Sequence, residues 1–366
     1  MSSWNDVRLD EVVELQRGHD LPLKARLEGN IPVIGSNGVV GCHNEPKYSG
    51  PGVTIGRSGV IGGATFTDGP YWPLNTCLFV KDFMGNDPRW VYYWLKSVDF
   101  TAMDSGSAQP SLNRNYIASF PVSLPPAQEQ RAIAEVLGAL DDKIAANNKI
   151  AAISDEFIRT EYQKLLHESF ETRIIGDFVE QRRESVNPEN VSPTLPYIGL
   201  EHIPQRLLWS AEHGMSDEVS SNKSKFMSGD ILFGKLRPYF HKVIAATETG
   251  ICSTDVLVMT PLYDTLTGYI LVAVSHDSVI REATASSSGT RMPRTNWKDL
   301  SAISIPWPGE TKALDFSKTV SALQEHVISS LNENHTLASI RDTLLPQLMS
   351  GKIRVRDAEA VVEDVL

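Results

Sequence analysis

The densest run of chemistry-bearing side chains in this 366-residue chain is KLRPYFHK, Lys235–Lys242. Lys235, Arg237, Tyr239, His241 and Lys242 nearly alternate, a spacing that would put several of them on one face of a strand. Cationic heads among aromatic rings suit the binding of an anionic or aromatic ligand rather than bond breaking. Nothing else in the chain supplies a catalytic set. There is no GxGxxG, Walker A loop, HExxH, GxSxG or H-x-E…CxxC. Asp141 and Asp142 are adjacent, but neighbouring helix residues point in different directions, so they read as solvated helix charge and not as an acid–base pair. His167, His241 and His335 are scattered at no metal-binding spacing. A non-catalytic, metal-free chain is expected.

The elements that would hold such a cluster follow one plan, used twice. Residues 1–126 read as short strands broken by glycine: Ile31–Gly41, Gly50–Phe66 and Cys77–Val80. A helix is expected from Asp87, with Asp87 as N-cap and Pro88 at the first position. Ser105–Pro126 then reads as a polar loop, a short turn and an apolar strand ending at a double proline. Residues 171–308 repeat the order. Arg8–Glu14 matches Ile174–Glu180, Pro32–Gly35 matches Pro196–Gly199, and Gly52–Arg57 matches Asp230–Lys235. Asn75–Val80 matches Ser253–Val258, and Gly106, Pro110 and Asn113 match Gly289, Pro293 and Asn296. Five blocks in one order indicate an internal duplication, with drift of the kind that loop insertions make.

Each copy is followed by a long heptad-patterned stretch. In Ala127–Leu166 the seam is Ile133, Leu137, Leu140, Ile144, Ala151, Ile158 and Leu165, with a polar misfit at Asn147. In Phe316–Leu348 it is Phe316, Val320, Leu323, Val327, Leu337, Leu344 and Leu348, with a misfit at Asn334. Seams of this kind bury a narrow stripe against another helix, and a buried asparagine fixes register at a cost in stability. Roughly forty residues at about 1.5 Å each give a rod of about 60 Å. Ser350–Leu366 reads as a glycine stop, a short strand IRV packing near the first domain, and an acidic tail.

Composition is that of an ordinary globular chain: 41% hydrophobic, 22% charged, net charge −11. That balance excludes a generally basic coat but leaves room for a local basic groove. Three distant cysteines without a CxxC suit a reducing compartment. With no signal-like N-terminus and no run of 18 apolar residues, a cytoplasmic location is expected.

Three stretches, PxIGxxG after the first strand, LPPAQEQRAIAEVLGALDDKI at the first helix and LLPQLMSGKIRV near the end, resemble the specificity subunits of type I restriction–modification systems. The resemblance extends along essentially the whole chain. It departs at PWPGETKALDFSKTVSAL, which lacks the Glu-Gln pair of the first copy. It implies an α+β fold: two duplicated mixed α/β target-recognition domains separated by two long antiparallel coiled-coil helices in a pseudo-twofold circular arrangement. The expected boundaries are 1–126, 127–170 (first spacer helix), 171–308, 309–350 (second spacer helix) and 351–366. It further implies that the two domains read a bipartite double-stranded DNA site and that two methyltransferase subunits dock on the helices. Those subunits would carry the S-adenosylmethionine, and restriction or translocase subunits would complete the complex in a bacterial or archaeal cell. No Asn-Pro-Pro-Tyr methylation motif occurs in this chain, in keeping with that division of labour.

Under this reading, base edges are read by Arg or Lys on guanine and Asn or Gln on adenine, with phosphate contacts from Lys, Arg, Ser and Thr. The first-domain candidates are Ser36, Asn37, Lys47, Tyr48, Arg57, Ser58, Gln109, Asn113 and Arg114. The second-domain candidates are Lys235, Arg237, Tyr239, His241, Lys242, Thr290, Arg291 and Arg294. Arg206 and Lys223 are more simply read as solvated. Partner or seam contacts fall to Ile133, Leu137, Leu140, Ile144, Asn147, Val320, Leu323, Val327, Asn334, Leu337 and Leu344. Residues 1–126 carry 10 Lys and Arg against 12 Asp and Glu, and residues 171–308 carry 13 against 16. Neither segment is basic, so partner subunits are expected to supply much of the phosphate contact. The helical rod would set the gap between half-sites lying about one duplex turn, roughly 34 Å, apart. Two other readings stay open: a protein-interaction scaffold, and an orphan or antirestriction protein of the same fold.

Overall fold

The computed structural model describes residues 4–100, 111–167, 171–289 and 291–366. The chain forms two compact units: residues up to Lys143 together with Thr336–Leu366, and Ile144–His335. Both long helices therefore contribute to both units, with the larger share of each in the second.

In the first unit a four-stranded sheet runs in the order Glu14–Arg17, Cys77–Asp82, Gly52–Gly56, Gly62–Thr67. Beside it lies a three-stranded sheet of Gly38–His43, Ile31–Gly35 and Trp72–Pro73. The helix Pro88–Ser97 packs on the four-stranded sheet and buries Trp90, Val91, Tyr93, Trp94 and Leu95. It starts as the sequence predicts: the Asp87 carboxylate accepts from the Trp90 amide at 2.9 Å, and Pro88 takes the first turn. That satisfies one of the unpaired amides at a helix start.

The second unit repeats the four-stranded sheet, while its other sheet has five strands where the first unit has three. Its four-stranded sheet runs Val179–Gln181, Val256–Pro261, Ile231–Gly234, Val243–Ala245, the same order as in the first copy. Strand registers fix the correspondence. Gly56 pairs with Cys77, and Gly234 with Val256. Val33 and Ile34 pair in parallel with Trp72 and Pro73, as Tyr197 and Ile198 do with Ile251 and Cys252. These pairings correct one sequence match by a residue: Cys77 corresponds to Val256, not Asp255. Small apolar runs such as LFV and VLV align equally well in either register, and only the ladder decides. The first and last strands of each copy also pair alike, Arg8 with Pro121 and Ile174 with Ser304.

The long helices span Ala127–His167 and Glu310–Met349. Within the second unit Asn147 meets Ser330, Glu333 and Asn334, while Tyr162 meets Phe316 with ring centroids 5.8 Å apart. Within the first unit Asp141 meets Arg341 at 2.5 Å. As one chain number rises the other falls, so the helices run antiparallel. The seam residues Ile133, Leu137, Leu140, Val320, Val327, Leu337 and Leu344 are buried, and Ile144, Leu323 and Asn334 are half-buried. The seam is more than a helix–helix contact. Ile158, Tyr162, Phe316, Val320 and Val327 share one core with Phe178, Tyr269 and Ile305 of the second domain. A strict coiled coil would bury only the seam, whereas here the helices also form a wall of the second domain's core.

Two expectations need correction. Asp141 is not solvated helix charge, and Asp142, though 61% exposed, is ion-paired. Asp141 accepts from the Tyr93 hydroxyl at 2.7 Å and pairs with Arg341, while Asp142 is held by Arg89 at 2.9 Å, so together they tie Pro88–Ser97 to the first long helix. The expected C-terminal strand is also absent. Ile353 and Arg354 lie in a turn, and Val355–Glu363 is a helix that buries Ala358 and Val362, four residues apart on one face. Gly351 packs under the indole of Trp4.

Among the described residues no helix is long and apolar enough to cross a membrane. At Gly268 one helix comes close to another: an added Cβ would lie 2.8 Å from both the Ser317 carbonyl oxygen and the Val320 Cβ. Gly268→Ala is therefore expected to destabilise the second unit by about 1–3 kcal/mol through overpacking, read as a lower urea midpoint.

Candidate nucleic-acid interface

The candidate loops of each domain are held by the same backbone clamp. In the first, Arg57 leaves the central strand Gly52–Gly56, its amide donates to the Thr76 carbonyl at 2.9 Å, and its carbonyl accepts from Leu112 at 2.8 Å. Ser58 bridges Ser111. In the second, the Lys235 amide donates to the Asp255 carbonyl at 2.9 Å and its carbonyl accepts from Thr295 at 3.1 Å, while Leu236 bridges Arg294. Arg57 and Lys235 are thus equivalent basic residues at equivalent strand ends, each fixed against the segment that precedes its long helix. Asn113 and Asn296 cap the next short helix in both copies, accepting from Asn115 and Asp299.

In the first domain Asn37 and Ser36 form the two-residue turn between Ile31–Gly35 and Gly38–His43. Lys47 is exposed with its ammonium 5.5 Å from the Trp72 ring centre. Tyr48 is half-buried: its hydroxyl bonds His19 at 2.9 Å and its ring lies 4.6 Å from Phe79. Arg57 is half-buried, with one guanidinium nitrogen 3.4 Å from the Asn75 carbonyl. Arg114 is exposed, 3.4 Å from the Leu15 carbonyl. Asn113 spends its side-chain oxygen on the cap. Gln109 lies outside the described residues.

The second-domain cluster is not a strand. Pro238–Phe240 forms a single 3-10 turn flanked by Arg237 and His241, both left-handed at φ 51° and 58°. Pro238 lacks the amide a ladder needs, and the Arg237 amide goes instead to the Pro293 carbonyl at 2.7 Å. The five candidates therefore separate. Tyr239 is exposed, whereas Lys235 and Arg237 are half-buried. The Lys242 ammonium turns inward to the Leu200 carbonyl, and burial pulls its pKa down. His241 is 2% exposed; its Nε2 donates to the Ser275 carbonyl and its Nδ1 lies 3.4 Å from the Asp277 carboxylate. Arg294 is engaged by Asp255 at 2.9 Å, and Arg291 is exposed. Thr290 lies outside the described residues. Lys223 is buried, with its ammonium on Ser221.

Sequence reasoning missed the support behind this turn. Asp155 on the first long helix is buried; it holds Arg159 at 2.6 Å and accepts from the Leu208 amide at 2.9 Å. Arg159 donates to the Arg206 carbonyl at 3.3 Å, and the Arg206 amide donates to the His241 carbonyl at 2.9 Å. An acid four residues before an arginine is a common exposed helix pair. The available signal was its place beside the apolar seam. The Glu-Gln difference between the copies also has a structural reason. Gln130 is buried, its amide bonding Asn86 and the Pro125 carbonyl, both at 2.9 Å, and receiving the Asp87 amide at 3.0 Å. The matching position in the second copy is Ala313, which is fully buried against apolar neighbours. A satisfied polar contact in one copy is an apolar one in the other.

Comparison with known proteins places the chain. Residues 1–153 match the family model of the type I restriction modification DNA specificity domain. The specificity subunit of the type I restriction enzyme EcoDI from Escherichia coli is 35% identical over 94 residues, 26% of this chain and 21% of that protein. This match therefore spans about a fifth of the length of that relative. The type I restriction enzyme MjaIX specificity subunit from Methanocaldococcus jannaschii is 22% identical over 331 residues, 78% of this chain and 74% of that one. The crystal structure of a type I restriction–modification S subunit from M. genitalium superposes with a TM-score of 0.62 at 17% identity, covering 95% of this chain and 96% of that one, which shows a shared fold. Residues 1–153 therefore carry a type I restriction modification DNA specificity domain, and the chain as a whole shares the fold of a solved S subunit.

His241 gives the second unit a pH signature. Burial first, then the guanidiniums of Arg159 and Arg206, push its pKa below 6.5, outweighing the upward pull of the Ser275 hydrogen bond and the Asp277 carboxylate. The unfolded chain keeps the ordinary value and takes up the proton first as pH falls. The contribution is therefore intact above about 6.5 and is lost progressively below it. Between roughly pH 7.5 and pH 5.5 the unfolding free energy of the second unit, read by urea titration, is expected to fall more in the wild type than in His241→Gln, by under about 1.4 kcal/mol per pH unit.

Proposed function

We propose that this chain is the DNA sequence-recognition subunit of a type I restriction–modification complex, reading a bipartite target with its two domains and docking methyltransferase subunits on its long helices. The observation that carries this reading is the repeated clamp. It offers a basic residue at a strand end, Arg57 and Lys235, with an exposed arginine, Arg114 and Arg291, on the segment clamped to it. Two copies of one such surface suit two half-sites. Lys235, Arg237 and Arg291 are the second-domain groups with donors for guanine edges, and Asn37, Arg57 and Arg114 are the first-domain counterparts. Tyr48, Asn113, His241, Lys242 and Arg294 act behind them, shaping the loops. Chemistry belongs to partners: S-adenosylmethionine and the methyl-transfer site lie on the methyltransferase, and cleavage on restriction subunits. The relatives named above are specificity subunits of type I restriction enzymes, which accords with this assignment. Segments 1–126 and 171–308 serve as the target-recognition domains, and 127–170 and 309–350 as spacer helices.

The test is single-molecule sequencing of genomic DNA from cells carrying this chain and its methyltransferase partner, beside a strain lacking only this chain. A methylated motif of two short half-sites with a fixed gap, lost in the deletion strain, is expected. An unchanged methylome with an expressed, active partner would move the weight to a protein scaffold or an orphan protein.

A further inference from the structure

Beside the Lys235–Lys242 turn the second unit has an open cleft of about 480 Å³ lined by Arg206, Tyr239, Asp277, Ile280, Arg281 and Thr284. Its walls are basic on balance, with two guanidiniums against one carboxylate. The Asp277 carboxylate is held low despite burial by the hydrogen bond and charge of Arg206, then by the neighbouring His241 and His276. The Arg206–Asp277 pair is 3.1 Å long with both side chains about two-thirds exposed. An exposed pair of this kind stabilises a fold little, yet the backbone that delivers it is costly. Arg206 stands at φ 60°, in the left-handed region, as do its neighbours Arg237 and His241. Such conformations persist where the surroundings over-determine them, and they gather at ligand clamps. Here the surroundings are explicit. The Arg206 amide is bound to His241, its carbonyl to Arg159, and Arg159 to the buried Asp155 of the long helix. Arg281 enters from the helix Asp277–Ala285, its Nε on the Asp277 carbonyl at 3.3 Å. Tyr239, 48% exposed, closes the side shared with the readout turn.

We propose that this cleft takes one phosphodiester of the DNA strand flanking the half-site assigned to the second domain. Arg281 and Arg206 present N–H groups to the phosphate oxygens, and the Tyr239 ring lies against the adjoining sugar. The inference rests on the recognition function proposed above and deepens it, because this contact carries no sequence information. Phosphate contacts fix the register and orientation of a protein on the duplex, while base contacts specify. The Asp155–Arg159–Arg206 chain of bonds then gives the register a fixed reference on the long helix. Arg206 is a positioning residue as well as a donor; Arg281 and Tyr239 have no such structural task.

The experiment uses the full chain assembled with its methyltransferase partner and titrates a target duplex and an unrelated duplex at several salt concentrations. Arg281→Gln is expected to weaken both duplexes by the same factor, about 3–10-fold at moderate salt. It should also flatten the slope of log affinity against log salt by about 0.9, the value of one phosphate. Base preference and the thermal transition should stay unchanged. A duplex with one neutral methylphosphonate at the contacted position should lose the same factor with the wild type and nothing further with Arg281→Gln. Unchanged affinity and slope in Arg281→Gln, or loss confined to the target duplex, would overturn the cleft assignment while leaving recognition intact. A wild-type complex that prefers no duplex over another would instead defeat the recognition reading and the cleft with it.

Discussion

Each domain depends on a backbone hydrogen bond that joins the end of its central strand to the segment entering the long helix: Leu112 to Arg57, and Thr295 to Lys235. The bond lies between main-chain groups, so it tolerates different side chains at the same place. One copy therefore presents Arg-Ser and the other Lys-Leu-Arg on an identical frame. A unit built this way can change what it touches without changing how it folds. The Asn113 and Asn296 caps act just beyond the bond and set where the chain turns toward the helix.

The helices do two jobs with one face. Tyr162, Phe316 and Val320 close a domain core while continuing the interhelical seam, and Gly268 lets a domain helix come within contact of Ser317 and Val320. Asn147 interrupts that seam with three hydrogen bonds to the opposite helix. Because its partners lie at fixed residues, a slide of the helices would strand a buried amide, and stranding a buried polar group costs more than a made bond gains. Register is thereby set within a largely apolar seam. At the helix start the two copies part company. Gln130 secures the first through buried amide bonds, whereas Ala313 relies on apolar packing at the second.

The duplication, the long helices, the Asp87 cap and the seam were legible because they depend on periodicity and local capping chemistry. Asn147 and Asn334 stood out in the same pattern as polar misfits, but only the structure shows that they meet. Three things were not legible. The turn at Pro238–Phe240 looked like a strand because its residues nearly alternate, and the proline was outweighed by that pattern. The one-residue slip at Cys77 was hidden by runs of similar apolar residues. The C-terminal helix was masked by IRV, three residues too few to declare a period. Among candidate contacts, residue type alone could not separate Lys235, which stands at the strand end, from Lys242, whose ammonium turns to Leu200, or Arg291 from Arg294, which Asp255 holds. That distinction is made by which carbonyls and carboxylates happen to lie nearby.

The most direct test of the account is the methylated motif produced by the full complex when this chain carries Lys235→Gln together with Arg291→Gln. If each clamped surface reads its own half-site, one half of the motif loses definition while the other half and the gap between them stay as they were. If both halves change together, or neither does, the two copies are not independent readers and the central claim is wrong.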